Sequence, residues 1–402
     1  MASNGFSSDV VVIGGGIVGL AIAREIKVQH PDLTVAVIDK ETTASEHSSG
    51  RNSGVLHAGF YYSPDSLKAL LTVRGNQLLR EFASEQGVAI RECGKVVVTR
   101  SAAELPALHE LARRSDVNGA GAELISETDL SAIEPKARTV SEALWSPQTA
   151  VADPSEVTNA VRTDAERKGV ALHYDHAVTV IKNGSVTTTR ETFAAGHVIN
   201  CAGLQADRFA HQLGFGKRYR ILPFTGLYTY APALTGFLKT HVYPVPDPAN
   251  PFLGVHATIT VNGDVKIGPT AIPALSREAY RPIRDVRARD ASEIARTLPR
   301  FAFSRHHKTW ELLKSEIPKY RTASLVRGAQ QLVPDLPADA FTKKGRPGIR
   351  AQLFDLRERR LVMDFVVEGD EHSSHILNAV SPGWTTSLSF AQHVVENHIF
   401  LR

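Results

Sequence analysis

Asp9-Val10-Val11-Val12-Ile13-Gly14-Gly15-Gly16-Ile17-Val18-Gly19-Leu20 decides the fold. Its first part is a short apolar, β-branched run, as expected of a strand buried on both faces of a parallel sheet. Glycines follow at Gly14, Gly16 and Gly19, and Ile17 to Val28 reads as a helix. Thr34 to Ile38 is a second buried strand, closed by Asp39, 20 residues beyond Gly19. Strand, glycine turn, helix and strand make a βαβ unit. The glycines permit a tight turn and close backbone approach, the helix N-terminus faces a pyrophosphate, and the acid accepts from ribose hydroxyls. The segment predicts a dinucleotide site on Gly14, Gly16, Ile17, Val18, Gly19, Asp39 and Lys40. The competing reading is a glycine-rich turn without a ligand.

Working outward, Leu67, Leu70, Leu71, Leu78, Leu79 and Phe82 recur at helical spacing within Ser66 to Gln86, and Gly87 is a stop. Asp153 and Pro154 start another helix as N-cap and first-turn residue, with Gly169 past its end. Strands are expected at Ala171 to Tyr174, Ala177 to Ile181 and His197 to Cys201. From Tyr219 to Lys266 the residues alternate apolar and polar, and Val261-Asn262-Gly263-Asp264 is a hairpin turn. Helical spacing returns from Ile283 to Leu332. The chain then reads strand (Leu361 to Glu368), strand (Ser374 to Val380) and helix (Thr385 to Asn397). The fold class is therefore α/β: a Rossmann-like nucleotide-binding lobe with an inserted substrate lobe built on an antiparallel sheet plus helices. The first lobe is assigned 1–92, 151–215 and 346–402, the second 93–150 and 216–345.

Bulk properties narrow the class. At 402 residues the chain is too long for one core. An apolar fraction of 43% and a charged fraction of 22% exclude disordered and collagen-like chains. No apolar run approaches the roughly 18 residues of a membrane span. The opening residues run at once into a strand, so neither a signal nor a transit peptide is expected. Cys93 and Cys201 have neither metal-ligand nor disulfide spacing, so no metal is expected and a reducing cytoplasm fits. The net charge of +4 is small. Its densest source is Arg277 to Lys319, with Arg281, Arg284, Arg287, Arg289, Arg296, Arg300, Arg305, Lys308 and Lys314, diluted by Asp285, Asp290 and Glu293. Gathered on one face, these cations would rest on anionic lipid at the inner membrane as a peripheral contact. No nucleic-acid motif accompanies them.

Three further segments carry a resemblance. Thr43 to Tyr62 reads TASEHSSGRNSGVLHAGFYY, His197 to Gly203 is a strand-to-turn segment, and Ser381-Pro382-Gly383-Trp384-Thr385-Thr386 precedes a helix. Together they resemble the D-amino-acid oxidase-like FAD superfamily. The resemblance implies FAD, held non-covalently, with Ser48, Ser49, Arg51, Asn52, Ser53, Val178, Ala202, Gly203, Pro382, Gly383, Trp384 and Thr385 added to the cofactor site. His241 to Pro248, Pro251 to His256, Gly268 to Ala271, Arg51 to Gly59 and Gly348 to Gln352 are similar to the L-2-hydroxyglutarate dehydrogenase family, in the same order along the chain. Two segments depart from that pattern: Pro223-Phe224-Thr225-Gly226-Leu227-Tyr228 lacks the Arg and acid often found there, and Gly383-Trp384 stands where better-known members carry two small residues.

The resemblance implies oxidation of a small 2-hydroxy acid, L-2-hydroxyglutarate first, with electrons passed to a carrier such as a quinone. The hydroxyl must lose a proton and the Cα hydrogen must leave as hydride; a His suits the first task and the flavin the second. His256, ending a buried strand of the inserted lobe, is the first candidate base and His57, in the flavin-side loop, the second. Their bland roles are a hydrogen-bonded core histidine and cofactor packing. Arg350 is the expected carboxylate anchor, because a guanidinium grips a carboxylate through two parallel bonds; the alternative is a structural ion pair. Lys266 and Tyr243 are secondary substrate candidates. Three other functions compete: an amino-acid or amine oxidase of the same superfamily, a glycerol-3-phosphate dehydrogenase-like enzyme (His57-Ala58-Gly59 is similar to that family too), and a flavoprotein that has lost turnover.

Overall fold

Strand β1 (Ser7–Ile13) lies in the middle of a sheet, parallel to β2 (Val35–Ile38) on one side and to the strand Thr192–Asn200 on the other. The computed structural model describes residues 6–247, 252–281, 284–304, 314 and 316–399. The sheet continues beyond β2 with Val170–His173 and, on its other flank, with the antiparallel strands Ser185–Thr188 and Val178–Lys182. Ser373–Asn378 pairs parallel with Thr192–Asn200 and brings the C-terminal region into the same sheet.

Both faces of this sheet are covered, which is why β1 and β2 read as unbroken apolar runs. On one face Val10, Val12, Val35 and Val37 pack with Leu20 and Ile26 of helix α1 (Ile17–Gln29), Leu79 and Phe82 of α2 (Leu67–Gln86), and Phe390 and Val394 of the helix Ser387–His398. On the other, Val11, Ile13, Ala36 and Ile38 meet Ile181, Val186, Phe193 and Val198. The expected helix ends are observed. Ser66 Oγ accepts from Ala69 N at 3.1 Å, Gly87 closes α2 with φ +68°, and Asp153 Oδ1 accepts from Ser155 N and Glu156 N. Leu70, expected on the buried face of α2, is instead 67% exposed.

The inserted lobe is an eight-stranded sheet ordered Lys343–Lys344, Thr229–Ala231, Val265–Gly268, His256–Ile259, His241–Pro244, Lys95–Val98, Glu142–Ser146, Glu123–Ser126. Its central hairpin turns at the expected Val261–Asp264, where Thr260 N donates to Asp264 O. The helix Thr322–Gln330 covers it through Leu325, Val326 and Ala329. The expected boundary at 346 lies just before Gly348–Asp355, which is antiparallel to Tyr219–Gly226 along its whole length, so this ribbon joins the two assigned lobes.

Two expectations change. Leu361 to Glu368 is not one strand but Arg360–Leu361 and Val366–Gly369. The chain breaks off between them because Asp364 turns its carboxylate to the start of α2, accepting from Leu67 N at 2.9 Å and Lys68 N at 3.1 Å. Along the basic stretch one cation is buried and others are paired with acids, while Arg284, Arg296 and Arg300 are exposed. Arg277 is fully buried against Asp207, while Arg281 pairs with Asp285, Arg287 with Glu278 and Arg289 with Glu293. Arg305 and Lys308, the helical start at Ile283, and Pro248 and Pro251 of the family-like segments lie outside the described residues. Within the expected helical stretch stand Ala288–Ala302, a short 3-10 turn at Ile317–Tyr320 and Thr322–Gln330. Among the described residues no helix is long and apolar enough to cross a membrane.

Candidate functional site

The glycine turn has no room for side chains. Gly14 has φ +110°, and a Cβ there would stand 2.4 Å from the carbonyl oxygen of Cys201. A Cβ on Gly19 would stand 2.0 Å from Gly14 O. Such crowding fixes the strand-to-helix turn and opens the helix N-terminus to a ligand. Asp39 Oδ2 accepts from Gly15 N at 2.6 Å and Oδ1 from Glu41 N at 2.8 Å; burial nevertheless pushes its pKa above the ordinary aspartate value. Ser49 Oγ accepts from Ile17 N at 3.0 Å, which docks the Ser/Gly-rich loop on the start of α1.

From this turn a cavity of about 740 Å³ runs past the loop Ser48 to Ser53 and ends at the turn Ser381 to Thr385. Every residue expected to hold the cofactor lines it. The glycine cradle, the acid at the end of β2 and the length of wall suit a dinucleotide. Two of the lining cations are engaged within the protein. Lys40 Nζ pairs with Glu278 at 2.6 Å and Glu41 at 3.2 Å. Arg51 donates to Glu46 O and Pro347 O, with its guanidinium 4.0 Å over the Tyr280 ring.

The far end of the cavity gathers His57, Arg350, Tyr228, Thr270 and Trp384. His57 is held by its backbone: its N–H donates to Thr385 Oγ1 at 3.2 Å, and its carbonyl accepts from Asn76 Nδ2 at 3.1 Å. Its Nδ1 is buried without a hydrogen-bond partner. Burial, then the nearby Lys95, His256, Arg350 and Lys68, hold its pKa well below the usual histidine value, so the ring is neutral near pH 7. Arg350 stands opposite Phe224 in the ribbon between the lobes, its guanidinium 5.3 Å from the Phe252 ring. Among the described residues it makes no ion pair. The competing structural-pair reading of Arg350 therefore finds no partner.

The other candidates lie behind this wall. His256 is 3% exposed; its Nδ1–H donates to Gly254 O at 2.8 Å, and its ring stacks on Tyr243 at 3.8 Å. Burial lowers its pKa to about 3. Lys266 Nζ donates to Ser53 O at 2.6 Å and lies near the rings of Tyr228 and Tyr230. None of His256, Tyr243 and Lys266 lines the cavity, whereas His57 and Arg350 do.

Tyr228 escaped the sequence reading as a site residue. It lines the cavity near Arg350, and burial pushes its hydroxyl pKa up. The signal was its place in the segment that departs from the family pattern; Phe224, Gly226, Gly383 and Trp384 of the departing segments line the same wall. A second unforeseen cluster is His173, His176 and Glu191, whose ligand atoms lie within 4.8 Å of one another. There His176 already bonds Tyr174 O through Nδ1 and Glu191 through Nε2.

The family described as FAD dependent oxidoreductase matches residues 9–397. The mitochondrial L-2-hydroxyglutarate dehydrogenase of Caenorhabditis elegans is 36% identical over 97% of this chain and 93% of its own. That of Nematostella vectensis is 35% identical over 96% and 90%. In structure the chain is similar to the L-alpha-glycerophosphate oxidase of Mycoplasma pneumoniae, with a TM-score of 0.78 at 21% identity over 97% of this chain and 94% of that one. That likeness shows the fold.

Proposed function

The chain belongs to the L-2-hydroxyglutarate dehydrogenase family, within the FAD dependent oxidoreductases, and we propose from that membership how its residues act. It is an FAD-dependent dehydrogenase that converts L-2-hydroxyglutarate to 2-oxoglutarate. The cavity residues fit the cofactor: the Gly14 to Gly19 turn takes the pyrophosphate, Asp39 the ribose, and the loop Ser48 to Ser53 with the turn Ser381 to Thr385 the ring end. When bound, FAD supplies the two-electron acceptor for the Cα hydrogen.

Arg350 binds the carboxylate next to the reacting carbon, so that Cα faces the ring end of the cavity. His57 takes the hydroxyl proton on its neutral imidazole as the C–O bond becomes a carbonyl. The observation that carries this reading is the shared cavity wall: His57 and Arg350 stand on it, one neutral, the other cationic and, among the described residues, without a carboxylate. The sequence favoured His256 as base. The geometry favours His57, because His256 Nδ1 is bonded to Gly254 O and its ring is covered by Tyr243. Tyr228 hydrogen-bonds to the substrate beside Arg350.

A quinone or similar carrier then takes the electrons. We place any membrane contact at the exposed arginines Arg284, Arg296 and Arg300 of the Arg277 to Lys319 stretch, as a peripheral one. The test is a single turnover without oxygen. Wild type should form one 2-oxoglutarate per flavin, the His256→Gln variant likewise, and His57→Gln almost none. Equal product from His57→Gln and wild type would remove His57 from the role.

A further inference from the structure

Lys95 has no part in the reaction as derived, yet it is the most unusual cation in the described protein. It opens the strand Lys95–Val98, between His241 on one neighbouring strand and Ser146 on the other. It is fully buried, and its Nζ has no hydrogen-bond partner. Three rings surround the ammonium, with centroids at 4.3 Å for Tyr243, 5.1 Å for Tyr61 and 5.5 Å for Phe60. Their faces attract a cation but do not replace its lost hydration. Among the described residues no carboxylate pairs with it. Cys93, beside it, is held neutral by burial, which raises the thiol to about 11, and Cys93 contacts His241 Nε2 at 3.3 Å. A Leu or Met would fill the same space without that cost, so the charge calls for another explanation.

The cage places the charge. Phe60 and Tyr61 follow His57 by three and four residues, and Tyr243 stacks on His256. Lys95 does not line the cavity, so the ammonium stands behind its wall, within reach of His57, His241 and His256. Among the described residues, the charged or titratable groups that act most on His57 are Lys95, His256, Arg350 and Lys68.

We propose that Lys95 is a positioning residue for proton transfer: its caged ammonium keeps His57 in the proton-accepting form until the anionic substrate arrives. The proposal rests on His57 being the base. A protonated His57 could not take the hydroxyl proton and would tie up a substrate carboxylate in an idle ion pair. A cation behind the ring penalises that state. The substrate brings two negative charges, which offset the cation and raise the basicity of His57 only when there is a proton to accept. The charge is present where it is needed: burial lowers the Lys95 pKa to about 7, and His57 titrates below that.

The test is the pH profile of anaerobic flavin reduction at low L-2-hydroxyglutarate, in holoenzyme of the wild type and of Lys95→Met, Lys95→Arg and His57→Gln. Lys95→Met should move the acid limb to higher pH by about half a unit or more, a factor of about three in proton affinity. Lys95→Arg should restore the wild-type limb. A limb unmoved in Lys95→Met, or moved equally in Lys95→Arg, overturns the proposal. If the limb persists in His57→Gln, it is the base assignment that fails. A nitrogen NMR titration of His57 in the wild type stands even if Lys95→Met does not fold: a midpoint well below pH 6.5 is expected, and one at or above it overturns the proposal.

Discussion

The backbone N–H of His57 donates to the hydroxyl of Thr385, 328 residues further along the chain, at 3.2 Å. The same hydroxyl donates to Val55 O at 3.2 Å, so Thr385 stitches the C-terminal turn to the loop that carries His57. Both segments line the ring end of the cavity. Thr385→Val keeps the shape but removes both bonds. Flavin reduction should slow by about tenfold, the order expected when a reacting group loses its alignment, with FAD content unchanged. Stopped-flow bleaching and the flavin-to-protein ratio check this together.

His57→Gln should slow reduction by about 10²–10⁴-fold, the usual worth of a general base. In the wild type the sign of the pH effect follows from the lowered pKa. The base works unprotonated, so the rate is level near neutrality and falls as pH drops through a value well below 6.5. His256→Gln, a change behind the wall, should stay within about tenfold of wild type.

Arg350→Met should leave FAD bound and weaken the substrate. A hydrogen bond to a charged group is worth about 1.5–3 kcal/mol, so losing a bidentate grip should lower kcat/KM by about a hundredfold or more. Arg350→Lys should recover only part, because an ammonium does not offer the parallel pair. Steady-state kinetics with an artificial acceptor give both values.

Gly14→Ala should give protein without flavin. The new Cβ meets Cys201 O in a backbone conformation with φ +110°, and the turn cannot close on the pyrophosphate. Asp39→Ala, which loses the ribose acceptor and the carboxylate that holds Gly15 N but adds no clash, should fold and hold FAD more weakly. Dialysis followed by absorbance distinguishes the two.

Arg277→Met should destabilise the fold without touching the cavity. Arg277 donates to Asp207 and to Leu204 O, and Asp207 also accepts from Ile221 N at 3.0 Å in the ribbon between the lobes. Removing one partner of a buried pair costs about 3–5 kcal/mol. A lower Tm with normal flavin reduction in the surviving protein is the expected result.

The nucleotide half of this design was legible because its signals are local. The run Val10 to Ile13, the spacing Gly14 to Gly19 and Asp39 each have one physical reading, and the caps Ser66 and Asp153 work within three residues. The catalytic half was less so. His57 and His256 look alike in sequence; what separates them is a stacked Tyr243 and a cavity wall assembled from distant segments. Asp364 was read as strand because its partner, the start of α2, is 296 residues away. The burial of Arg277 had no local signal either: the acid that pairs with it, Asp207, belongs to the other lobe's sequence.

Anaerobic mixing of the holoenzyme with L-2-hydroxyglutarate, in parallel with its D-enantiomer, L-glutamate and glycerol 3-phosphate, is the most direct measurement. Rapid loss of the flavin's visible bands with the L-hydroxy acid, and slow or no loss with the other three, is the expected result. Bands that persist with L-2-hydroxyglutarate while L-glutamate or glycerol 3-phosphate bleaches them would contradict the account.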